Sequence, residues 1–269
     1  MTAERAKITP KKLFAMKQEK KKITALTAYD FLCASMLEES QVDLILVGDS
    51  LAMVFQGKPN TLEVSVDEMV YHTRCVSRAV KNALVVADMP FLSYHITPEE
   101  ALRNAGKLIR TGGAEAVKIE GGTDVCPTID RIVKAGIPVV GHIGLTPQDI
   151  LTSGGYFVQG ISDSDAEQII ADAHAVQKAG AFAIVLECIP AQLAKKISSQ
   201  LHIPTIGIGA GKQCDGQILV THDLLGMFKK FKPKFLKQYA NIHDTSVAAI
   251  KQYADDVRNG AYPSDEHSY

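Results

Sequence analysis

The amino-acid sequence predicts one α/β domain built as a (β/α)₈ barrel, the TIM-barrel architecture. Three observations carry that expectation: eight short apolar runs, most of them rich in Val and Ile; amphipathic stretches between most of the runs; and polar residues where the runs end. Strands buried on both faces read as continuous apolar runs, and repeated strand–helix units favour a parallel barrel. An open doubly wound sheet is the alternative for the same rhythm. The 269 residues contain no low-complexity tract and no obvious linker, so a single domain spanning 1–269 is expected.

In chain order, Thr9-Pro10 and the Lys/Leu/Phe/Met pattern after it predict a short helix before the first strand. Strands are expected at 23–28, 44–47, 84–87, 116–119, 137–141, 183–186, 205–208 and 218–220, with helices at 31–40, 66–80, 98–111, 124–135, 163–179 and 191–199. Thr97-Pro98 reads as an N-cap followed by Pro at the first helical position, with Glu99 and Glu100 in the first turn, where the helix dipole favours them. Gly112, Gly136 and Gly180 follow helix candidates as left-handed caps do. Gly136-Ile137-Pro138 and His202-Ile203-Pro204 are short returns into the next strand. Beyond the barrel, 245–259 reads as an amphipathic helical extension with Val247, Ile250, Tyr253 and Val257 at helical spacing.

The charges nearly cancel, 29 Lys and Arg against 30 Asp and Glu, so nucleic acid and anionic membrane are not expected partners. The five cysteines form no C-x-x-C pair, which supports neither a disulfide framework nor a zinc knuckle. The basic N-terminus lacks the apolar core of a signal peptide, and no run approaches the roughly 18 apolar residues of a membrane span. A cytoplasmic enzyme with reduced thiols and a small-molecule substrate is the expectation.

Polar residues stand at the ends of five of the runs: Asp49 and Ser50 after the second, Asp88 after the third, Lys118 and Glu120 on the fourth, His142 on the fifth and Glu187 on the sixth. A parallel barrel gathers all of these ends on one face. Lys118 and Glu120 are two apart and share a side if the stretch is extended. Asp49, Asp88, Glu120 and Glu187 would then crowd one pocket, with Lys118 as the obvious counter-charge. Like charges at ~4 Å repel by about 4 kcal/mol per pair at an effective dielectric of ~20. Such a group must protonate, stay wet or hold a cation, and carboxylates without Cys or paired His suit Mg²⁺ better than Zn²⁺. Each carboxylate taken alone could instead cap a following helix, and Lys118 could be a structural ion-pair partner. His142 is an auxiliary candidate, since a strand-end His is as often structural. The 207–212 segment, Gly-Ile-Gly-Ala-Gly-Lys, fails both the dinucleotide and the P-loop patterns; it is a candidate anion loop or simply a tight turn. Gly154-Gly155-Tyr156 and Gln159-Gly160 lie in a long fifth loop suited to a lid or to ordinary punctuation. The lysines between 11 and 22 read as a solvated helical face.

The ordered motifs 24–30 (TALTAYD), 47–50 (VGDS), 87–90 (ADMP), 117–122 (VKIEGG), 141–148 (GHIGLTPQ), 186–187 (LE) and 207–211 (GIGAG) resemble ketopantoate hydroxymethyltransferase over nearly the whole chain. The resemblance implies a barrel of the phosphoenolpyruvate/pyruvate type. The implied reaction is hydroxymethyl transfer from 5,10-methylenetetrahydrofolate to 3-methyl-2-oxobutanoate, through a metal-stabilised enolate, giving 2-dehydropantoate for pantothenate and coenzyme A biosynthesis. It also implies Mg²⁺ ligation by Asp49, Asp88 and Glu120, oxo-acid contacts from Asp49, Ser50, Asp88 and Lys118, and proton removal by Glu187. A homo-oligomer, typically a decamer, is implied as well. Another metal-dependent 2-oxo acid mutase or lyase of this barrel type would share the acidic pocket without needing folate, but the Lys-Lys-Cys-Gly-His lyase signature is missing from the sequence. A non-catalytic barrel would be expected to lack one of these carboxylates or the lysine, and none is missing.

Overall fold

The computed structural model describes residues 5–229 and 232–269. Eight parallel strands close into a barrel in sequence order, as the sequence predicts. Helix α1 (Pro10–Gln18) leads into β1 (Ile23–Thr27), α2 (Phe31–Glu39) and β2 (Leu44–Val47). There follow α3 (Leu51–Val54), α4 (Val66–Ser77), β3 (Leu84–Asp88), α5 (Pro98–Arg110), β4 (Ala116–Glu120) and α6 (Cys126–Lys134). The second half runs through β5 (Val139–Gly144), α7 (Ile150–Ser153), α8 (Asp163–Lys178), β6 (Ala183–Glu187), α9 (Ala191–Gln200), β7 (Thr205–Ile208) and β8 (Gly216–Leu219). By internal contacts the chain divides into two compact units, Met1–Val220 and Thr221–Tyr269. The second contains α10 (Thr221–Leu224) and α11 (Ile242–Arg258), in which Val247, Ile250, Tyr253 and Val257 keep their helical spacing on an exposed stripe.

Local chemistry accounts for the main helices. Thr9 and Thr97 accept hydrogen bonds from Lys12 N and Glu100 N at 3.2 Å, with a proline opening each helix. Ser65 and Glu68 cap α4 reciprocally, Glu68 N donating to Ser65 Oγ at 3.2 Å and Ser65 N to Glu68 Oε2 at 2.7 Å; each such cap satisfies donors the first turn leaves open.

Strand periodicity does the positioning. Leu84 and Val86, Ala116, Val140, and Ala183 and Val185 belong to one buried cluster inside the barrel. Two residues further along each strand, the same inward direction falls on Asp88, Lys118, His142 and Glu187. The lower layers are therefore packed hydrocarbon and the top layer is polar. The N-terminal end is closed by Leu13 and Met16 of α1, which join the same cluster. Lys17 reaches Asp215 at 2.7 Å, Arg5 reaches Asp43 at 2.7 Å and Lys7 reaches Glu115 at 2.7 Å. Lys17 thus departs from the solvated face expected of the N-terminal lysines.

Other departures have physical reasons. The fifth strand begins at Val139 rather than Ile137, because Pro138 has no N–H to give the ladder. It runs on to Gly144, which puts His142 within the strand instead of at its end. The eighth starts at Gly216, where a Cβ would stand 2.6 Å from Ile23 O; only a glycine lets β1 approach so closely. No helix separates β7 from β8, so the 209–215 segment alone makes that crossover. The short helices α3, α7 and α10 fall where the apolar periodicity is too brief to read.

Candidate active site

The mouth of the barrel holds a cavity of about 110 Å³, lined in part by Asp49, Ser50, Asp88, Lys118, Glu120, His142 and Glu187. All seven residues singled out in the sequence are therefore brought together. Leu46, Val185, Ile208 and Ile218 supply an apolar remainder. Parallel registry explains the order around the rim: Asp88 lies beside Lys118, Glu120 beside His142, and Gly144 beside Glu187.

Lys118 Nζ is the hub, 2.8 Å from Asp88 Oδ1, 3.0 Å from Glu120 Oε1 and 3.1 Å from His142 Nδ1. His142 Nδ1 is also 3.1 Å from Glu120 Oε1, and its Nε2 approaches Glu187 Oε2 at 3.2 Å, off the line of a hydrogen bond. Asp49 N donates to Asp88 Oδ2 at 3.0 Å, tying the end of β2 to that of β3. Ser50 Oγ sits 2.9 Å from the buried Tyr29 hydroxyl. Glu187 is the more open of these carboxylates, its side chain 16% exposed against 3% for Asp88 and Glu120.

Burial and neighbouring charge act in opposition here. Burial, then the Asp88 and Glu120 charges, push the Asp49 carboxyl well above its ordinary range. Burial also raises Asp88, with Lys118 offsetting only part of it. At Glu120 burial acts in the same upward direction, but Lys118 and His142 outweigh it and hold the group below the usual carboxylate range. Burial disfavours the Lys118 charge, yet Asp88, Glu120 and Asp49 overcome this and keep it an ammonium. Burial and Lys118 push His142 down, whereas Glu120 and Glu187 lift it to about 9. The ring is thus placed to donate from Nδ1 to Glu120.

Two backbone features frame Glu187. Gly144 has φ +93°, and a Cβ there would stand 2.3 Å from Glu187 O. Cys188 has φ 47°, an uncommon conformation for a non-glycine residue, and is held by Cys188 N donating to Ile208 O at 2.8 Å. Two loop residues, Gln148 after β5 and Tyr94 after β3, were missed or left without a role by sequence reasoning. Gln148 Nε2 donates to Asp49 Oδ2 at 2.8 Å, and the Tyr94 hydroxyl donates to Gln148 Oε1 at 2.8 Å. Gln148 stood within a recognisable motif, but neither residue sits on a strand end or in a periodic pattern that would give it a role.

The donor set fits a hard cation. Asp88 Oδ1 is buried with no aligned hydrogen-bond donor, although Lys118 Nζ is close. Asp49, Asp88 and Glu120 offer oxygens only, as Mg²⁺ prefers. Among the described residues no three His, Cys, Asp or Glu side chains form a ready-made cage. Mg²⁺ does not need one, since it is usually held by one or two carboxylates with substrate and water completing its shell.

A family model described as ketopantoate hydroxymethyltransferase matches residues 7–265. The chain belongs to the ketopantoate hydroxymethyltransferase family. The 3-methyl-2-oxobutanoate hydroxymethyltransferase of Moorella thermoacetica is 54% identical over 267 residues, covering 99% of both chains. That of Pelobacter propionicus is 53% identical over 269 residues, covering 100% of both. Among solved structures, a phosphonopyruvate hydrolase complex with oxalate and Mg²⁺ superposes with a TM-score of 0.62 at 15% identity, over 97% of this chain and 93% of that one. A phosphoenolpyruvate phosphomutase from Streptomyces platensis subsp. rosaceus gives 0.62 at 16% identity, over 93% and 88%. These distant likenesses show the shared barrel fold. Membership of the ketopantoate hydroxymethyltransferase family makes the chain a transferase. Among the described residues no helix is long and apolar enough to cross a membrane.

Proposed function

We propose that the chain transfers a hydroxymethyl group from 5,10-methylenetetrahydrofolate to 3-methyl-2-oxobutanoate, with water supplying the hydroxyl, to give 2-dehydropantoate for pantothenate and coenzyme A biosynthesis. The observation that carries this reading is the division of labour at the mouth. Asp49, Asp88 and Glu120 gather with Lys118, while the more open Glu187 carboxylate faces His142.

Asp49, Asp88 and Glu120 would hold Mg²⁺, directly or through water, and the ion would supply Lewis-acid polarisation of the 2-oxo group. Asp49, Ser50, Asp88 and Lys118 bind the oxo acid, with Ser50 oriented by the Tyr29 hydroxyl. Glu187 removes the proton from C3, the role open to a carboxylate not tied to the cation. The Lys118 ammonium is preorganised beside the oxygen on which negative charge develops, so it needs no reorientation during reaction. C3 then attacks the methylene carbon as one of its two C–N bonds to the folate opens, forming the carbon–carbon bond. Water replaces the remaining C–N bond, leaving the hydroxymethyl group on C3 and releasing tetrahydrofolate. Leu46, Val185, Ile208 and Ile218 offer the branched end of the substrate an apolar wall. His142 serves as an auxiliary group that aligns Glu120 and Glu187.

The test is hydrogen–deuterium exchange at C3 of 3-methyl-2-oxobutanoate in D₂O, followed by NMR with and without Mg²⁺. Exchange that needs the metal but not folate, followed by 2-dehydropantoate once methylenetetrahydrofolate is added, supports the reading. No exchange by folded protein with metal present overturns it. Conversion of another 2-oxo acid without folate would instead make the chain a mutase or lyase of the same barrel type. We place the protein in the cytoplasm as a homo-oligomer, a decamer by family resemblance. The exposed apolar stripe on α11 supports self-association, and analytical ultracentrifugation measures it.

A further inference from the structure

Gln148 lies just after Pro147 at the start of the fifth loop, is 2% exposed, and uses every hydrogen-bonding function of its side chain. Nε2 donates to Asp49 Oδ2 at 2.8 Å and to Met89 O at 3.1 Å. Oε1 accepts from the Tyr94 hydroxyl at 2.8 Å, and that hydroxyl also lies 3.1 Å from Glu120 O. The backbone N–H of Gln148 donates to Glu120 Oε2 at 3.2 Å. The amide has one workable orientation: turned over, Oε1 would face two acceptors, Asp49 Oδ2 and Met89 O, and both of those would lose their donor. One residue therefore ties together the ends of β2, β3 and β4 through neutral, satisfied contacts, in a place where carboxylates repel one another.

We propose that Gln148 is a positioning residue: its carboxamide, locked by Tyr94, holds Asp49 by one oxygen so that the other is presented to the cavity, and thereby sets the grip of the site on a divalent cation. This rests on the metal-dependent reading above. Gln148 touches neither substrate nor reacting atoms in this role. It acts through Asp49 and Glu120, as the outer partners of metal ligands do, and their loss typically lowers metal affinity 10–100-fold. A flexible or misplaced Asp49 would have to be reoriented by the cation itself each time it binds.

The experiment compares wild type, Gln148→Met and Tyr94→Phe. Mn²⁺ alone is titrated into each metal-free protein, with free ion followed by electron paramagnetic resonance. Initial rates of C3 exchange are measured across a range of Mn²⁺ concentrations, and thermal melts give the folded fraction. Gln148→Met keeps the bulk and removes the amide, and should weaken Mn²⁺ binding roughly 10–100-fold while the exchange rate at saturating Mn²⁺ stays within about threefold of wild type. Tyr94→Phe leaves the amide on Asp49 but unlocks it, and should fall between the two. Unchanged Mn²⁺ affinity in folded Gln148→Met, or a loss of rate that saturating Mn²⁺ does not restore, overturns the proposal. Wild type that neither binds Mn²⁺ nor exchanges C3 would sink the metal-dependent reading itself, and this proposal with it. That outcome is visible before any variant is compared.

Discussion

Replacing Lys118 by Met keeps the side-chain length and removes the ammonium that the carboxylates share. Nζ is 2.8 Å from Asp88 Oδ1 and 3.0 Å from Glu120 Oε1, and all three side chains are at most 4% exposed. At an effective dielectric of ~20, each contact is an attraction of about 6 kcal/mol. Desolvation offsets much of this, and removing one partner of a buried pair costs roughly 3–5 kcal/mol. In a chain of this size 1 kcal/mol moves Tm by roughly 2–4 °C, so metal-free Lys118→Met should melt about 10 °C below wild type at pH 7.5. The pH dependence has a definite sign. Burial works against the charge on Glu120, but Lys118 and His142 hold its carboxyl below its ordinary value of 4.5. That contribution to stability is present above 4.5 and is lost only as pH falls through the depressed folded value. In the variant the carboxylates take up protons more readily, so the cost is largest at neutral pH and shrinks towards pH 5. Thermal melts of EDTA-treated protein at both pH values measure this. A gap under about 2 °C, or one that widens on acidification, would refute the ionised-cluster argument.

Three further outcomes are expected. Glu187→Gln should bind the oxo acid and metal normally by calorimetry yet lose C3 exchange by about 10²–10⁴-fold; wild-type exchange would remove Glu187 from that role. Gly144→Ala forces a Cβ to within 2.3 Å of Glu187 O at φ +93°. It should lower exchange far more than it lowers Mn²⁺ affinity, and equal losses in both would point to general unfolding. Leu13→Ala empties a fully buried position in the plug beneath the barrel and should cost about 2–5 kcal/mol by denaturant melts. Its activity per folded molecule should stay unchanged, because the site is at the opposite end of the strands.

The barrel was legible in the sequence because its strands are buried on both faces, which forces runs such as Leu44–Val47 and Leu84–Asp88 to be almost wholly apolar. The site was legible for the same reason: a charge two residues past the last inward-facing apolar side chain has nowhere to point but the mouth, as Asp88, Lys118 and Glu187 do after Val86, Ala116 and Val185. What escaped lacked that contrast. Gly216 opens β8 without an apolar run, because the space beside Ile23 leaves no room for a side chain. Gln148 and Tyr94 take their meaning from contacts 99 and 54 positions away in the chain, with Asp49 and with each other, and no local periodicity encodes those. Lys17 looked like its solvated neighbours because its partner, Asp215, is 198 positions distant.

That last separation bears on how the molecule comes into being. The segment carrying Arg5, Lys7 and α1 is synthesised well before the acid that receives Lys17 and before β8, the second of the two strands that hydrogen-bond to β1, which come some two hundred residues later. During translation Leu13 and Met16 therefore wait beside a half-built cylinder whose final wall does not yet exist. Pairings so far apart in sequence carry a large loop-closure cost and form slowly, and unfinished sheet edges with bared hydrocarbon favour aggregation. Until β8 pairs with both β7 and β1, the sheet keeps open edges. Refolding yield should consequently fall steeply with protein concentration, even though the finished barrel has no open edge.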